Sequence, residues 1–232
     1  MALKTNNTIK NLDLEYNDIR NEGFISVVDA LKTNTALTDI NFGNNNIADK
    51  GCTLLAETLK TNTTITGINL ESNNIGDYGC ASLAEALKIN TTVTNIDLGN
   101  NIIGDDGCIS LAEALKTNTT VTNFDLGNNI IGGKGCTSLA ETLKTNTTIV
   151  TLRLYDNNFG AEGFASLAEA LKTNTTINEL SLGENGIEEE EIETLQKTLY
   201  SNFLKSLKVY YYYYYYYYYY YYYYYYYYYY YY

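Results

Sequence analysis

Residues 93–118 read VTNIDLGNNIIGDDGCISLAEALKTN. Val93, Ile96 and Leu98 are interleaved with polar residues, the pattern of a short strand with one buried face. Asn95 and Asp97 then point to the opposite face. Gly99-Asn100-Asn101 turns the chain. Gly104-Asp105-Asp106-Gly107 opens a helix with acids at its N-terminus, where the helix dipole favours them. Ile109, Leu111, Ala112 and Leu115 supply an apolar helix face, and Ala112 and Ala114 are good helix formers. Lys116 stands at the C-terminal end, and Thr117-Asn118-Thr119-Thr120 leads into the next strand.

This unit recurs without a gap. Asn17, Asn45, Asn73, Asn101, Asn129, Asn157 and Asn185 follow one another at intervals of 28 residues. One strand and one helix cannot bury their apolar faces alone, so the copies must stack into a quasi-linear solenoid. Hydrophobicity does not explain the recurrent asparagine. Its amide can satisfy the backbone groups of a turn and of the neighbouring copy. A ladder of such amides is expected, and loss of one rung should cost about 1–3 kcal/mol.

Composition removes several classes of function. The chain has no histidine, which excludes serine–histidine and cysteine–histidine catalysis and histidine-ligated zinc. A net charge of −12 argues against nucleic acid and against anionic membrane surfaces, and favours a partner with a basic face. No apolar run is long enough to span a membrane, and the first residues are too polar for a signal peptide. A cytoplasmic setting is the expectation. No cofactor or metal is called for.

Cys52, Cys80, Cys108 and Cys136 share one slot in the repeat, filled elsewhere by Phe24, Phe164 and Ile192. That exchange marks a small-to-medium apolar core position rather than a metal site or disulfides. Sequons at Asn6, Asn62, Asn90, Asn118, Asn146 and Asn174 arise, after the first, from one recurring Thr-Asn-Thr-Thr segment, and read as part of the frame.

The pattern Leu-x-x-Leu-x-Leu-x-x-Asn-x-Ile-Gly-Asp-x-Gly, followed by Leu-Ala-Glu-Ala-Leu-Lys-x-Asn, resembles the ribonuclease-inhibitor-type leucine-rich repeat. That type also occurs in NOD-like receptors and Ran GTPase-activating proteins. The resemblance implies an α/β leucine-rich repeat solenoid, a horseshoe with parallel strands on the concave face and helices on the convex face. It further implies a non-enzymatic scaffold that binds a partner protein on the concave face. A regulator of a small GTPase, of the GTPase-activating type, and a repeat fragment of a larger NOD-like sensor are the alternatives. No residue here matches a GTPase-activating motif, and no Gly-x-x-x-x-Gly-Lys-Ser/Thr occurs.

On that face the central column reads Asp13, Asn41, Asn69, Asp97, Asp125, Arg153 and Ser181. The column before it includes Asn95 and Asn123, and the column after it holds Gly99, Gly127 and Tyr155. Asp97 and Asp125 should lie on adjacent rungs above a shallow glycine floor. Arg153 and Tyr155 break the pattern with residue types common at binding hot spots. The expected partner-binding set is therefore Asn69, Asn95, Asp97, Asn123, Asp125, Arg153 and Tyr155. The plainer reading is that the acids and amides solvate an open sheet face, with Arg153 answering Asp125.

Residues 1–209 are read as one array of seven repeats and a partial eighth, with Leu204, Leu207 and Val209 as its last strand. The array begins inside a repeat and its first strand has no partner before it, so the chain reads either as a fragment of a longer one or as pairing end-on with another chain; a monomer or a fragment of a longer chain is the expectation. Tyr210 to Tyr232 form an unbroken tyrosine run, read as a disordered or artefactual tail.

Overall fold

The structure, a computed structural model, describes residues 2–201 and 208–210. After a short 3-10 turn at Ala2–Lys4, strands and helices alternate: β1 Asn11–Asp13, α1 Arg20–Leu31, β2 Asp39–Asn41, α2 Asp49–Leu59, β3 Gly67–Asn69, α3 Asp77–Leu87, β4 Asn95–Asp97, α4 Asp105–Leu115. The series continues with β5 Asn123–Asp125, α5 Gly133–Leu143, β6 Thr151–Arg153, α6 Gly160–Leu171, β7 Glu179–Ser181, α7 Glu189–Ser201 and β8 Lys208–Tyr210. The strands form one open parallel sheet in chain order, β1 to β8. Register shifts by one repeat at each step, so Ile68 pairs with Ile96 and Ile96 with Phe124.

Helices cover one face of the sheet, and the core lies between. Val93, Ile96 and Leu98 are buried against Cys108, Leu111, Ala112, Ala114 and Leu115. Ile109, expected on the apolar face, is only half-buried, because the buried helix face is made by Cys108, Leu111, Ala112, Ala114 and Leu115. Phe24 fills the cysteine slot of the first repeat and meets Phe42 edge to face, with ring centroids 4.7 Å apart. Of the last expected strand, Val209 pairs with Leu180, while Leu204 and Leu207 lie outside the described residues. Tyr210 closes β8, and the expectation for residues 211–232 also falls outside them.

The helix acids act across repeats. Asp49 Oδ1 accepts the N–H groups of Gly76 and Gly79 at 2.7 and 3.0 Å, and so caps the next helix. Asp77 and Asp105 do the same for α4 and α5. This satisfies N–H groups that a helix start leaves open. Position 133 is glycine, so the chain of caps ends there, and α6 begins instead through Gly160 at φ +57°.

Candidate partner-binding face

Two amide ladders hold the face. In the first, Asn101 Oδ1 accepts from the N–H groups of Asn73 and Ile75 at 3.0 and 2.9 Å. Its Nδ2 donates to the carbonyls of Leu70, Leu98 and Gly99. Asn45 and Asn73 are bonded alike, and Asn129 and Asn157 keep the three donated bonds and one accepted bond each. Exposed Asn17 donates to Leu14 and Glu15 only. Asn185 keeps its donated bonds, but its buried Oδ1 has no partner among the described residues. The residue before each rung takes positive φ, as at Asn44, Ser72, Asn100 and Asn128. Polar residues such as asparagine and aspartate tolerate that conformation best after glycine.

The second ladder was not foreseen from the sequence. Asn62, Asn90, Asn118, Asn146 and Asn174 are buried. Asn118 Nδ2 donates to Leu87 and Asn90 carbonyls at 2.8 and 3.2 Å, while its Oδ1 accepts from Thr120 and Val121. The side-chain amides of these sequons are therefore engaged in the frame. The signal was present, since the asparagine of Thr-Asn-Thr-Thr recurs as strictly as the turn asparagine.

The unbonded face of the sheet encloses an open hollow of about 680 Å³. It is lined by Asn69, Asn95, Asp97, Asn123, Asp125 and Arg153, together with neighbours from β1 to β7. Among the described residues lining it, Arg153 carries the one positive charge, against Asp13, Asp39, Asp97, Asp125 and Glu179. Asp97 and Asp125 pair directly in register, as do Asp125 and Arg153.

Much of the central column serves the strand ends. Asp13, Asn41, Asn69, Asp97 and Asp125 each accept the N–H of the residue two places on, at 2.8–3.0 Å. An amide or carboxylate oxygen serves equally well. What aspartate adds at 97 and 125 is charge. Burial pushes both carboxyls up to about 6; for Asp97 the neighbouring Asp125 charge adds to this. The glycine N–H bonds and the Arg153 guanidinium act in the opposite direction. Burial, with the Asp97 charge beside it, also raises Glu71. Arg153 reaches Glu179 at 2.8 Å and Asp125 at 3.6 Å, so it sits between two carboxylates and leaves Asp97 farther off.

Tyr155 does not line the hollow. It is 8% exposed. A Cβ built on Gly127 would fall 2.2 Å from its ring, so the ring lies directly over that glycine. The expected glycine floor is thus filled at Gly127, because close packing does not leave a side-chain-sized gap. Asp39 covers Gly67 in the same way. Asn95 and Asn123 are joined by a 2.7 Å amide bond across β4 and β5.

The four cysteines are free and fully buried. Burial pushes the thiols of Cys52 and Cys136 up to about 12 and raises Cys80 and Cys108 well above the ordinary value. They are core groups, not nucleophiles, because the thiolate is the reactive form. Among the described residues no three histidine, cysteine, aspartate or glutamate side chains are gathered as for a metal ion.

One strand and one helix per repeat, stacked in parallel and joined by a turn amide, define a ribonuclease-inhibitor-like α/β solenoid. Residues 5–28, 33–56, 61–84, 90–112, 117–140 and 145–168 each match the family described as "Leucine Rich repeat", and the chain belongs to that family. No curated protein sequence matches the chain. Among solved structures it is similar to "Leiomodin-1 Actin-Binding Site 2 (ABS2)", with a TM-score of 0.57 and 24% identity. That match covers 76% of this chain and 96% of the other. A tropomodulin C-terminal domain from Caenorhabditis elegans gives a TM-score of 0.56 at 16% identity, covering 65% of this chain and 92% of that one. At such identities the likeness is one of fold.

Proposed function

We propose that the chain is a protein-interaction scaffold whose strand-lined hollow receives a basic segment of a partner protein. The observation that carries this is the pair Asp97 and Asp125. Two carboxylates stand on adjacent rungs, one of them bridged to Arg153 and the other without a cation that close. Like charges so placed repel, and a partner ammonium or guanidinium would relieve that repulsion. Asn69, Asn95 and Asn123 border the pair with amides that can bond a partner's backbone. Tyr155 has a supporting part here, as the ring that closes the floor at Gly127.

On this reading the chain is not an enzyme, since it has no histidine to act as a base near neutral pH and the hollow is open rather than an enclosed cavity. Buried free thiols and frame-bound sequons fit a reducing, cytoplasmic setting. Residues 1–209 act as one array. Actin is one partner to try, because the leiomodin-1 domain is titled for an actin-binding site.

The test is an amide-resolved NMR titration with an arginine-rich peptide and with actin. The Gly99 and Gly127 signals, whose N–H groups bond the two carboxylates, should move first. Shifts confined to the helices would place the site elsewhere.

A further inference from the structure

Ile102 and Ile130 are 54% and 64% exposed at the turn between strand and helix. The same position holds Asp18, Asn46, Asn74, Asn158 and Gly186 in the other repeats. Exposed β-branched apolar residues on two successive rungs are therefore a departure from the frame, not part of it. They fall in the two repeats that carry Asp97 and Asp125. We propose that Ile102 and Ile130 form an apolar step on the edge of the array that seats an apolar side chain of the same basic partner segment. This rests on the reading of the hollow as the partner site.

The backbone holds the step in place. Ile102 N–H donates to Ile75 and Ile130 N–H to Ile103, both at 3.0 Å. Asn101 N–H donates to the Asn128 carbonyl, which ties the two turns together. The two isoleucines therefore hold equivalent places on successive, directly bonded rungs. Asn46 and Asn74 take φ of +54° and +57°, whereas Ile102 and Ile130 do not, in keeping with the cost of that region to a β-branched residue.

The step and the carboxylates lie within reach of one short segment. Asp97 and Ile102 are five positions apart in the chain, at most about 17 Å when extended. Between them lie Gly99, with no side chain, and the hydrogen-bonded amides of Asn100 and Asn128. The surrounding charge selects the occupant. Exposed Asp106 and exposed Lys134 hold equivalent places four residues after Ile102 and Ile130, while the adjoining hollow carries Asp97 and Asp125. A segment with an apolar residue and nearby lysine or arginine complements this edge. A second copy of the chain, at net charge −12, would be repelled, as would an anionic membrane.

The test uses a random dodecapeptide phage library selected on the full chain, with affinities of enriched peptides measured by fluorescence anisotropy. Binders should pair a lysine or arginine with leucine, phenylalanine or methionine. The double variant Ile102→Asn with Ile130→Asn carries the residue found at 158, and circular dichroism checks that it folds. It should weaken these peptides about tenfold, the worth of one apolar side chain, and keep their salt dependence. Equal affinity for both proteins, or no enriched peptide, overturns the step. If Asp97→Asn with Asp125→Asn changes nothing while the isoleucine variant weakens binding, the hollow is wrong and the step stands.

Discussion

Asp97 and Asp125 stand opposite each other on β4 and β5, and each holds a glycine N–H two residues on, at 2.9 and 2.8 Å. Asn41 and Asn69 make the same bond with amide oxygens. The turn therefore needs an oxygen, while the charge is surplus to it. Asparagine at both sites should keep the fold and remove only the charge.

The pH dependence of stability tests this. Both carboxyls are raised to about 6, above the ordinary aspartate value, so the folded chain holds protons that the unfolded chain releases between about pH 4 and pH 6. That contribution is complete below the unfolded value and is lost as pH rises through 6. Urea unfolding should show the wild type about 1–2 kcal/mol less stable at pH 7 than at pH 5 from this pair. The Asp97→Asn, Asp125→Asn chain should lose most of that difference. An unchanged slope would acquit the carboxylates.

The turn amides should differ in worth along the chain. Asn101→Ala removes three donated and two accepted bonds from a buried site, and should cost about 1–3 kcal/mol or somewhat more. Asn185→Ala removes donated bonds only, and exposed Asn17→Ala fewer still. Thermal unfolding should rank them Asn101, Asn185, Asn17, and a reversed order would contradict the bonding described.

Gly127 and Tyr155 form a coupled pair. Gly127→Ala drives a methyl into the Tyr155 ring and should cost about 1–3 kcal/mol. In a Tyr155→Ser background the same change should cost little. A double-mutant cycle measures the coupling, and additive effects would mean that the ring does not rest on the glycine.

Thiol reactivity checks the core assignment. With their thiols buried and their ionisation suppressed, Cys52, Cys80, Cys108 and Cys136 should resist an aromatic disulfide reagent in the native chain. All should react promptly in denaturant. Rapid native labelling of any one would show that its helix is displaced.

The fold was legible because the same strand, turn and helix recur every 28 residues, so weak local signals repeat until they agree. The column holding Asn69, Asp97, Asp125 and Arg153 was legible for the same reason, since register in a parallel stack follows the period. What escaped were relations between repeats. Asp105 reads as a helper of its own helix, yet its oxygen caps the next one. Asn118 reads as part of the link into the next strand, yet its amide reaches back to Leu87. Tyr155 reads as a partner-binding residue, yet its ring fills the place that Gly127 leaves on the neighbouring rung. Each depends on what a neighbouring rung leaves open, which no single copy states.

The amide ladders and aspartate caps bond across junctions as well as within repeats. A junction therefore opens only by stripping partners from both of its sides, and the array behaves as a zip rather than a row of beads. Damage near Asn101 would divide it into two frayed halves. Damage near Asn185, whose oxygen already has no partner among the described residues, would merely shorten it. Tolerance to change should then follow a residue's distance from the ends more closely than its chemical type.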